Sequence, residues 1–177
     1  AGGTAYAELD FTNQASDLGN VKSDLGNVNV ELKNVTTSFD SVNDVNYQIL
    51  GQAAGIMLGE NADLGISATS GGASQSYTLN NLVFNGGNLS FANATLSAAG
   101  SGTGDYVLDV GTLDVTNGGT LSVSAEIGSA FNILEADDDT YAQTLIHYGS
   151  LRGDVSNIGF NAESLDASEI RNADDDV

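Results

Sequence analysis

Two stretches of the chain repeat one another and decide the fold class. The first reads Leu82-Val-Phe-Asn-Gly-Gly-Asn-Leu-Ser-Phe91, and the second reads Leu113-Asp-Val-Thr-Asn-Gly-Gly-Thr-Leu-Ser-Val123. In both, every second residue on either side of an Asn-Gly-Gly triplet is apolar, which is typical of two half-buried strands joined by a tight turn. The repeat predicts turns at residues 85–87 and 117–119. A second, weaker sequence similarity relates Tyr77-Thr-Leu79 to Tyr106-Val-Leu108.

Sequence patterns typical of strands continue on both sides of this repeat. Short alternating or apolar runs occupy residues 4–11, 28–35, 121–127, 131–134, 144–148 and 155–160. Turn signals arrive about every 8–12 residues, which indicates an all-β sandwich or a solenoid. We predict an all-β domain built as an antiparallel β-sandwich of jelly-roll type, with a short β-solenoid as the alternative.

One short helix is predicted near residues 44–58. Asp44 can cap its start, Val45 and Ile49 recur at helical spacing, and Gly59 can end it. Residues 18–42 are ambiguous, because apolar residues recur there at the spacing of a coiled-coil seam although Gly and Asn interrupt them. The rival period-two pattern favours a strand over residues 28–35, and the coiled coil stays open as the alternative.

The N-terminal segment is predicted to be an extended strand, so we divide the chain into residues 1–15 and a single β domain over residues 16–177. One face of the strand is apolar, and its residues are Ala5, Ala7, Leu9 and Phe11. Gly2-Gly3 leaves one end free, so this strand can be donated to a neighbouring subunit. The alternative is an ordinary first strand within its own domain. Ala1 fits cleavage by a signal peptidase and equally fits removal of an initiator Met.

Composition excludes several classes of function. The chain has 177 residues, with 24 acids against 4 bases and a formal net charge of −20. So few cations offer no patch for phosphates, and we therefore expect no nucleic-acid partner. The chain has no Cys, which excludes disulfides and thiolate metal sites. No apolar run approaches the roughly 18 residues of a transmembrane helix, so no transmembrane segment is predicted.

Catalytic chemistry has little to draw on, and we predict that the protein is not an enzyme. His147 is the single histidine, so a Ser-His-Asp triad would have to use it, and a lone histidine in a strand is more often a half-exposed packing residue. Glu135, Asp137 and Asp139 lie between two candidate strands. Carboxylates and loop carbonyls suit Ca²⁺, so these three residues are the predicted metal ligands, with a solvated acidic turn as the alternative.

Residues 141–158 read Tyr-Ala-Gln-Thr-Leu-Ile-His-Tyr-Gly-Ser-Leu-Arg-Gly-Asp-Val-Ser-Asn-Ile. Together with the strand and turn patterns from residue 77 onward, this segment resembles bacterial exported surface proteins of the autotransporter-passenger kind over residues 77–160. The resemblance implies an exported, surface-exposed β protein, secreted or held at the cell surface.

Three functions follow from these patterns. The leading hypothesis is an exported, non-enzymatic structural subunit of a surface filament, tube or sheath. Such a subunit would assemble as a homo-oligomer or polymer by strand exchange. The first alternative is an adhesin or viral-fibre domain that binds a surface glycan or host receptor, and the second is a secreted hydrolase.

Overall fold

The structure is a computed structural model and describes residues 7–10, 28–94, 106–125 and 144–163. Most of these residues lie in two parallel sheets. Sheet A contains β1 (Ala7–Asp10), β2 (Asn29–Lys33), β4 (Gly55–Leu58), β8 (Tyr77–Phe84), β10 (Tyr106–Asp114) and β12 (Thr144–Arg152). Sheet B contains β3 (Thr36–Phe39), β5 (Asp63–Ser67), β9 (Asn88–Ala94), β11 (Gly119–Ala125) and β13 (Ile158–Glu163). The other described elements are α1 (Val45–Leu50), a 3₁₀ helix (Val155–Asn157) and a small antiparallel pair, β6 (Thr69–Ser70) and β7 (Ala73–Ser74).

The chain builds a stack of rungs. From β2 onward, each strand of sheet A is followed by a strand of sheet B, and these two strands form one rung. The strands of successive rungs pair in parallel, in the order β2-β4-β8-β10-β12 in sheet A and β3-β5-β9-β11-β13 in sheet B. β1 adds a further parallel strand to the outer side of β2. The apolar faces of the two sheets share one core.

The predicted antiparallel jelly-roll sandwich is therefore wrong. The Asn-Gly-Gly turns do not fold a hairpin within one sheet; they carry the chain from sheet A to sheet B, and the next rung lies parallel on the last. Alternating apolar and polar residues are typical of antiparallel sheets, because most parallel sheets are covered on both faces. Here the described strands alternate buried and partly exposed residues although they are parallel, so the alternation does not report strand direction. Parallel rungs are the arrangement of the short β-solenoid given as the alternative.

The core consists of rows of apolar side chains that stack from rung to rung. In sheet A, Ile56, Leu82 and Leu113 lie opposite one another in register. In sheet B, the corresponding row contains Leu64, Leu89 and Leu121. All six side chains are buried, and burying a Leu or Ile side chain contributes about 1.5–3 kcal/mol. The rows explain why the sequence repeats, since each rung must supply an apolar residue at the same place.

The repeat around Asn-Gly-Gly is confirmed as a structural register. Leu82 pairs with Leu113, and Leu89 pairs with Leu121. Both triplets lie at the change from sheet A to sheet B, where Gly86 has φ 87° and Gly118 has φ 71°. Glycine adopts such positive φ values without the steric cost that a Cβ brings. The likeness between the Tyr77 and Tyr106 segments does not coincide with the strand register, because Tyr77 lies opposite Leu108.

The predicted helix exists but is shorter than residues 44–58. Asp44 caps it as expected, since its Oδ1 accepts a hydrogen bond of 2.7 Å from the Asn46 amide. The helix ends at Leu50, and residues 55–58 form β4, because Ile56 pairs with Val30 of β2. Residues 28–42 contain β2 and β3, so a coiled coil through them is wrong and the strand prediction is confirmed for 29–33. Residues 18–27 and 131–134 lie outside the described residues.

Tyr77 connects the first described rungs through ring contacts and hydrogen bonds. Its side chain is fully buried, and its ring lies 5.9 Å from the Phe39 ring and 5.0 Å from the Tyr47 ring. Its hydroxyl lies 3.1 Å from the Phe39 carbonyl oxygen and 3.0 Å from that of Ser67, and donates to this carbonyl pair. Burial, reinforced by the carboxylates of Asp40 and Asp44, raises the pKa of the Tyr77 phenol above its ordinary range.

We expect Tyr77→Phe to lower the free energy of unfolding by about 1–2 kcal/mol at pH 7, because two carbonyl groups lose a buried donor. The difference should shrink above about pH 10, where Tyr77 ionises in the unfolded chain and stays neutral in the folded one. A folded-state pKa above the unfolded value stabilises the fold below about pH 10, and that stabilisation is lost as the pH rises. Urea unfolding of both proteins at about pH 7 and at about pH 10.5–11 measures the effect. A constant difference across this range would contradict it.

Candidate functional site

The C-terminal end of the rung stack is open in the part of the chain that the structure describes. β12 and β13 are the last strands of sheets A and B in that direction. Phe160 of β13 continues the core row of Leu89 and Leu121, yet it is 44% exposed where Leu121 is 4% exposed. Phe160 therefore occupies a core position in the last described rung, and no described rung lies beyond it. Such an edge also presents the unpaired backbone groups of a strand, which makes it a template for another strand.

The opposite end of sheet A is formed by β1. β1 pairs in parallel with β2 of the same chain, with Ala7 opposite Val30 and Leu9 opposite Leu32. Val30 and Leu32 are buried core residues, so the predicted apolar positions Ala7 and Leu9 lie in register with the core rows. Ala5 and Phe11, and the predicted boundary at residue 15, lie outside the described residues. The structure thus shows β1 on its own chain, and its donation to a neighbour stays a prediction.

One register row of sheet A contains charged residues at both ends. The row begins with Glu8 opposite Glu31 in β1 and β2, and it ends with Asp114 opposite Arg152 in β10 and β12. The uncharged members of the row are Met57 and Val83. Arg152 is exposed, and among the described residues it forms no ion pair. The N-terminal edge is therefore acidic in this row, whereas the C-terminal edge ends on one of the few cations of the chain.

His147 is held in a cluster on the outer face of sheet A. Its Nδ1 lies 2.8 Å from Oδ1 of Asp109, and its ring stacks on Tyr106 with centroids 4.3 Å apart. The histidine is 38% exposed, which matches the half-exposed packing residue expected from the sequence. Asp109 lies opposite both His147 and Thr78, so the carboxylate stands between the imidazole and the nearest row hydroxyl.

This order of side chains limits the chemistry of the cluster. A catalytic triad needs the histidine between the carboxylate and the nucleophile. The row instead places the carboxylate in the middle. β12 is the last described strand of sheet A, so the row has no described residue beyond His147 that could act as the nucleophile. The hydrogen bond between Asp109 and His147 links β12 to β10. Sequence reasoning missed Asp109, because it lies 38 residues before its partner and only the rung register brings them together.

A small polar ladder runs along the outer face of sheet B. Oδ1 of Asp63 accepts hydrogen bonds from Asn88 Nδ2 at 2.9 Å and from Ser90 Oγ at 3.0 Å. Asn88 Oδ1 in turn accepts one from Ser122 Oγ at 2.9 Å. These bonds link three successive rungs through short side chains. No sequence motif marked them, since the bonded residues are contributed by different rungs.

The predicted Ca²⁺ ligands Glu135, Asp137 and Asp139 lie outside the described residues, so that site stays a prediction. Among the residues that the structure describes, no group of three acidic, His or Cys side chains is placed to hold a metal ion.

Comparisons with known proteins found no match of any kind: no family model, no curated protein and no solved structure matches the chain. Within the described part of the chain, no helix has the length and apolar character needed to cross a membrane.

Proposed function

We propose that the protein is an exported, non-enzymatic structural subunit of a surface filament, tube or sheath at the cell surface. The observation that carries this proposal is the C-terminal end of the described rungs, where Phe160 occupies a core row and is 44% exposed. A second copy placed on this end would bury that row and pair the free strand edges.

The parallel arrangement of the strands supports a polymer rather than a closed dimer. All strands of sheets A and B run parallel to their neighbours, so the two ends of the stack are different surfaces. An end-to-end contact is therefore heterologous, and repeating it produces an open filament. Strand addition or exchange supplies the contact, because the backbone ladder gives affinity and the alternating side chains give register.

The chemistry of the chain is compatible with this role. The net charge of −20 keeps isolated subunits soluble by mutual repulsion, so assembly requires counter-ions. Ca²⁺ held by residues 135–139 is proposed as one such counter-ion, because four of these five residues are acidic. Export and an extracellular location rest on the sequence resemblance to exported surface β proteins.

A matched pair of variants tests the proposal. Phe160→Asp places a charge on the open C-terminal end, whereas Val45→Asp places the same charge on a 41% exposed valine at the start of α1, away from that end. We expect wild type and Val45→Asp to form filaments in negative-stain images and fast-sedimenting species. Phe160→Asp should stay a folded monomer. Wild type that remains monomeric at millimolar concentration with Ca²⁺, or two variants that assemble equally, would contradict the proposal.

The glycan- or receptor-binding module is the second candidate, and the stacked pair Tyr106–His147 favours it. This pair presents a partly exposed aromatic and an imidazole on the outer face of sheet A. Binding of a glycan array by wild type, and its loss in Tyr106→Ala, would support that candidate. For the secreted hydrolase, the described residues offer only the Asp109–His147 pair.

A further inference from the structure

We infer that the filament joint is formed by the free edge of β12 in one copy and the free edge of β1 in the next, with Arg152 opposite Glu8 of the second copy. This inference rests on the proposed function and specifies its partner and register. It leaves β1 paired with its own β2, so that β1 becomes the shared strand of the joint.

The direction and position of the strands favour this joint. β1 and β12 are the two edge strands of sheet A in the described chain, and both are parallel to the strands between them. Adding β1 of a second copy to β12 therefore continues the ladder without changing its direction. The other possible contacts between described edges of sheet A are β1 with β1 and β12 with β12, and both would place the two strands in opposite directions.

The register of the rows specifies which residues meet. One row of sheet A runs from Ala7 through Leu82 and Leu113 to Leu151. The next position forms the row that runs from Glu8 to Arg152. If the ladder continues in register, Ala7 of the second copy lies opposite Leu151, and Glu8 of the second copy lies opposite Arg152. At the joint, the apolar row therefore continues with another apolar residue, and in the charged row the cation of one copy meets the acid of the next.

The charges of this row favour the joint over other contacts. Within one chain the strand register places Glu8 beside Glu31, another acidic residue. The joint gives Glu8 a cationic neighbour on its free side. Only 4 of the 177 residues are Lys or Arg, so most surfaces of this acidic chain repel a second copy. A cation at the end of the acidic row selects this edge.

Charge reversal followed by mixing tests the joint. Arg152→Glu and Glu8→Arg each place like charges at it, and we expect each variant alone to need about tenfold more protein to assemble than wild type. An equimolar mixture should assemble nearly as well as wild type. Where the two variants alternate, one joint pairs the unchanged Arg152 with the unchanged Glu8, and the next joint pairs the two introduced charges, which are also opposite. Sedimentation velocity at a fixed ionic strength of about 0.15 M measures the effect, since higher salt screens it.

Neutral and distant substitutions provide the controls. Arg152→Gln and Glu8→Gln each weaken the joint, and in their mixture only every second joint regains the Arg152–Glu8 pair. Mixing them should therefore rescue assembly less than mixing the reversed variants does, and they keep the test valid if a reversed variant misfolds. Glu60→Arg makes the same charge change in an exposed turn between β4 and β5, and it should assemble no worse than wild type. Wild-type filaments with reversed variants that are not rescued by mixing would overturn this joint and leave the filament proposal standing. Wild type that never assembles would overturn both.

Discussion

Replacing Phe91 with alanine is expected to lower the free energy of unfolding by about 3–5 kcal/mol, because a large core side chain is removed and a cavity remains. Phe91 lies in β9, is 1% exposed, and stands opposite Ile66 and Val123 in the neighbouring rungs. Neither neighbour can fill the space without disturbing its own place in the ladder. Urea unfolding followed by circular dichroism, at a concentration that keeps the protein monomeric, measures the loss.

Phe160→Ala is the matched control, since it makes the same substitution in the same sheet. Phe160 is 44% exposed at the end of the stack, so the monomer should lose about 1 kcal/mol or less. The two variants thus separate a core row in the middle of the stack from its open end. Equal losses of stability would show that Phe160 is covered within its own chain.

Gly87→Ala is expected to destabilise the fold by about 3 kcal/mol, because successive rungs approach too closely there for a side chain. A Cβ on Gly87 would lie 2.6 Å from the Gly59 carbonyl oxygen and 2.8 Å from the Leu58 carbonyl carbon. Both atoms belong to the backbone of the preceding rung, so the clash cannot be relieved by rotating a side chain. The melting temperature and the urea midpoint of the variant measure the effect.

Gly159→Ala supplies the comparison for Gly87→Ala. A Cβ on Gly159 would meet its nearest atom, the Gly119 carbonyl oxygen, at an ordinary contact distance of 3.7 Å. Its stability should therefore change by no more than about 0.5 kcal/mol. If both glycine variants were equally stable, the close approach of the rungs at Gly87 would be contradicted.

The local features of the fold could be predicted from the sequence. The alternation of apolar residues identified the strands, and the repeat placed Leu82 with Leu113 and Leu89 with Leu121. Asp44 was recognised as a helix cap because its side chain acts on a backbone amide two residues away. These features depend on interactions between residues close in the chain or on a repeat that is visible in the sequence.

The direction of the strands could not be predicted in the same way. A half-buried strand has the same alternating pattern whether its neighbour is parallel or antiparallel, and an Asn-Gly-Gly turn suits both a hairpin and a change of sheet. The pairing of Tyr77 with Leu108 shows the difficulty, since a likeness between two tyrosines suggested a different register. The end of the predicted helix was misplaced because Ile56 fits a helical spacing and a strand equally well.

The candidate site was accessible only in part. Ala7 and Leu9 were identified from the apolar stripe of the first strand, and they do lie in register with core residues. The open end at Phe160 carried no local signal, because its exposure depends on which rung is last in the stack. Arg152 gained its significance only from the register that places it in the row of Glu8.

Cryo-electron microscopy of the assembled protein tests the central claim most directly. We expect filaments in which the rungs stack along the axis with a spacing of about 4.8 Å. At each joint, β12 of one copy should lie beside β1 of the next, and the ladder of sheet A should continue without a break. Filaments whose subunits meet side by side, or a protein that stays monomeric under all assembly conditions, would contradict end-to-end assembly through these edges.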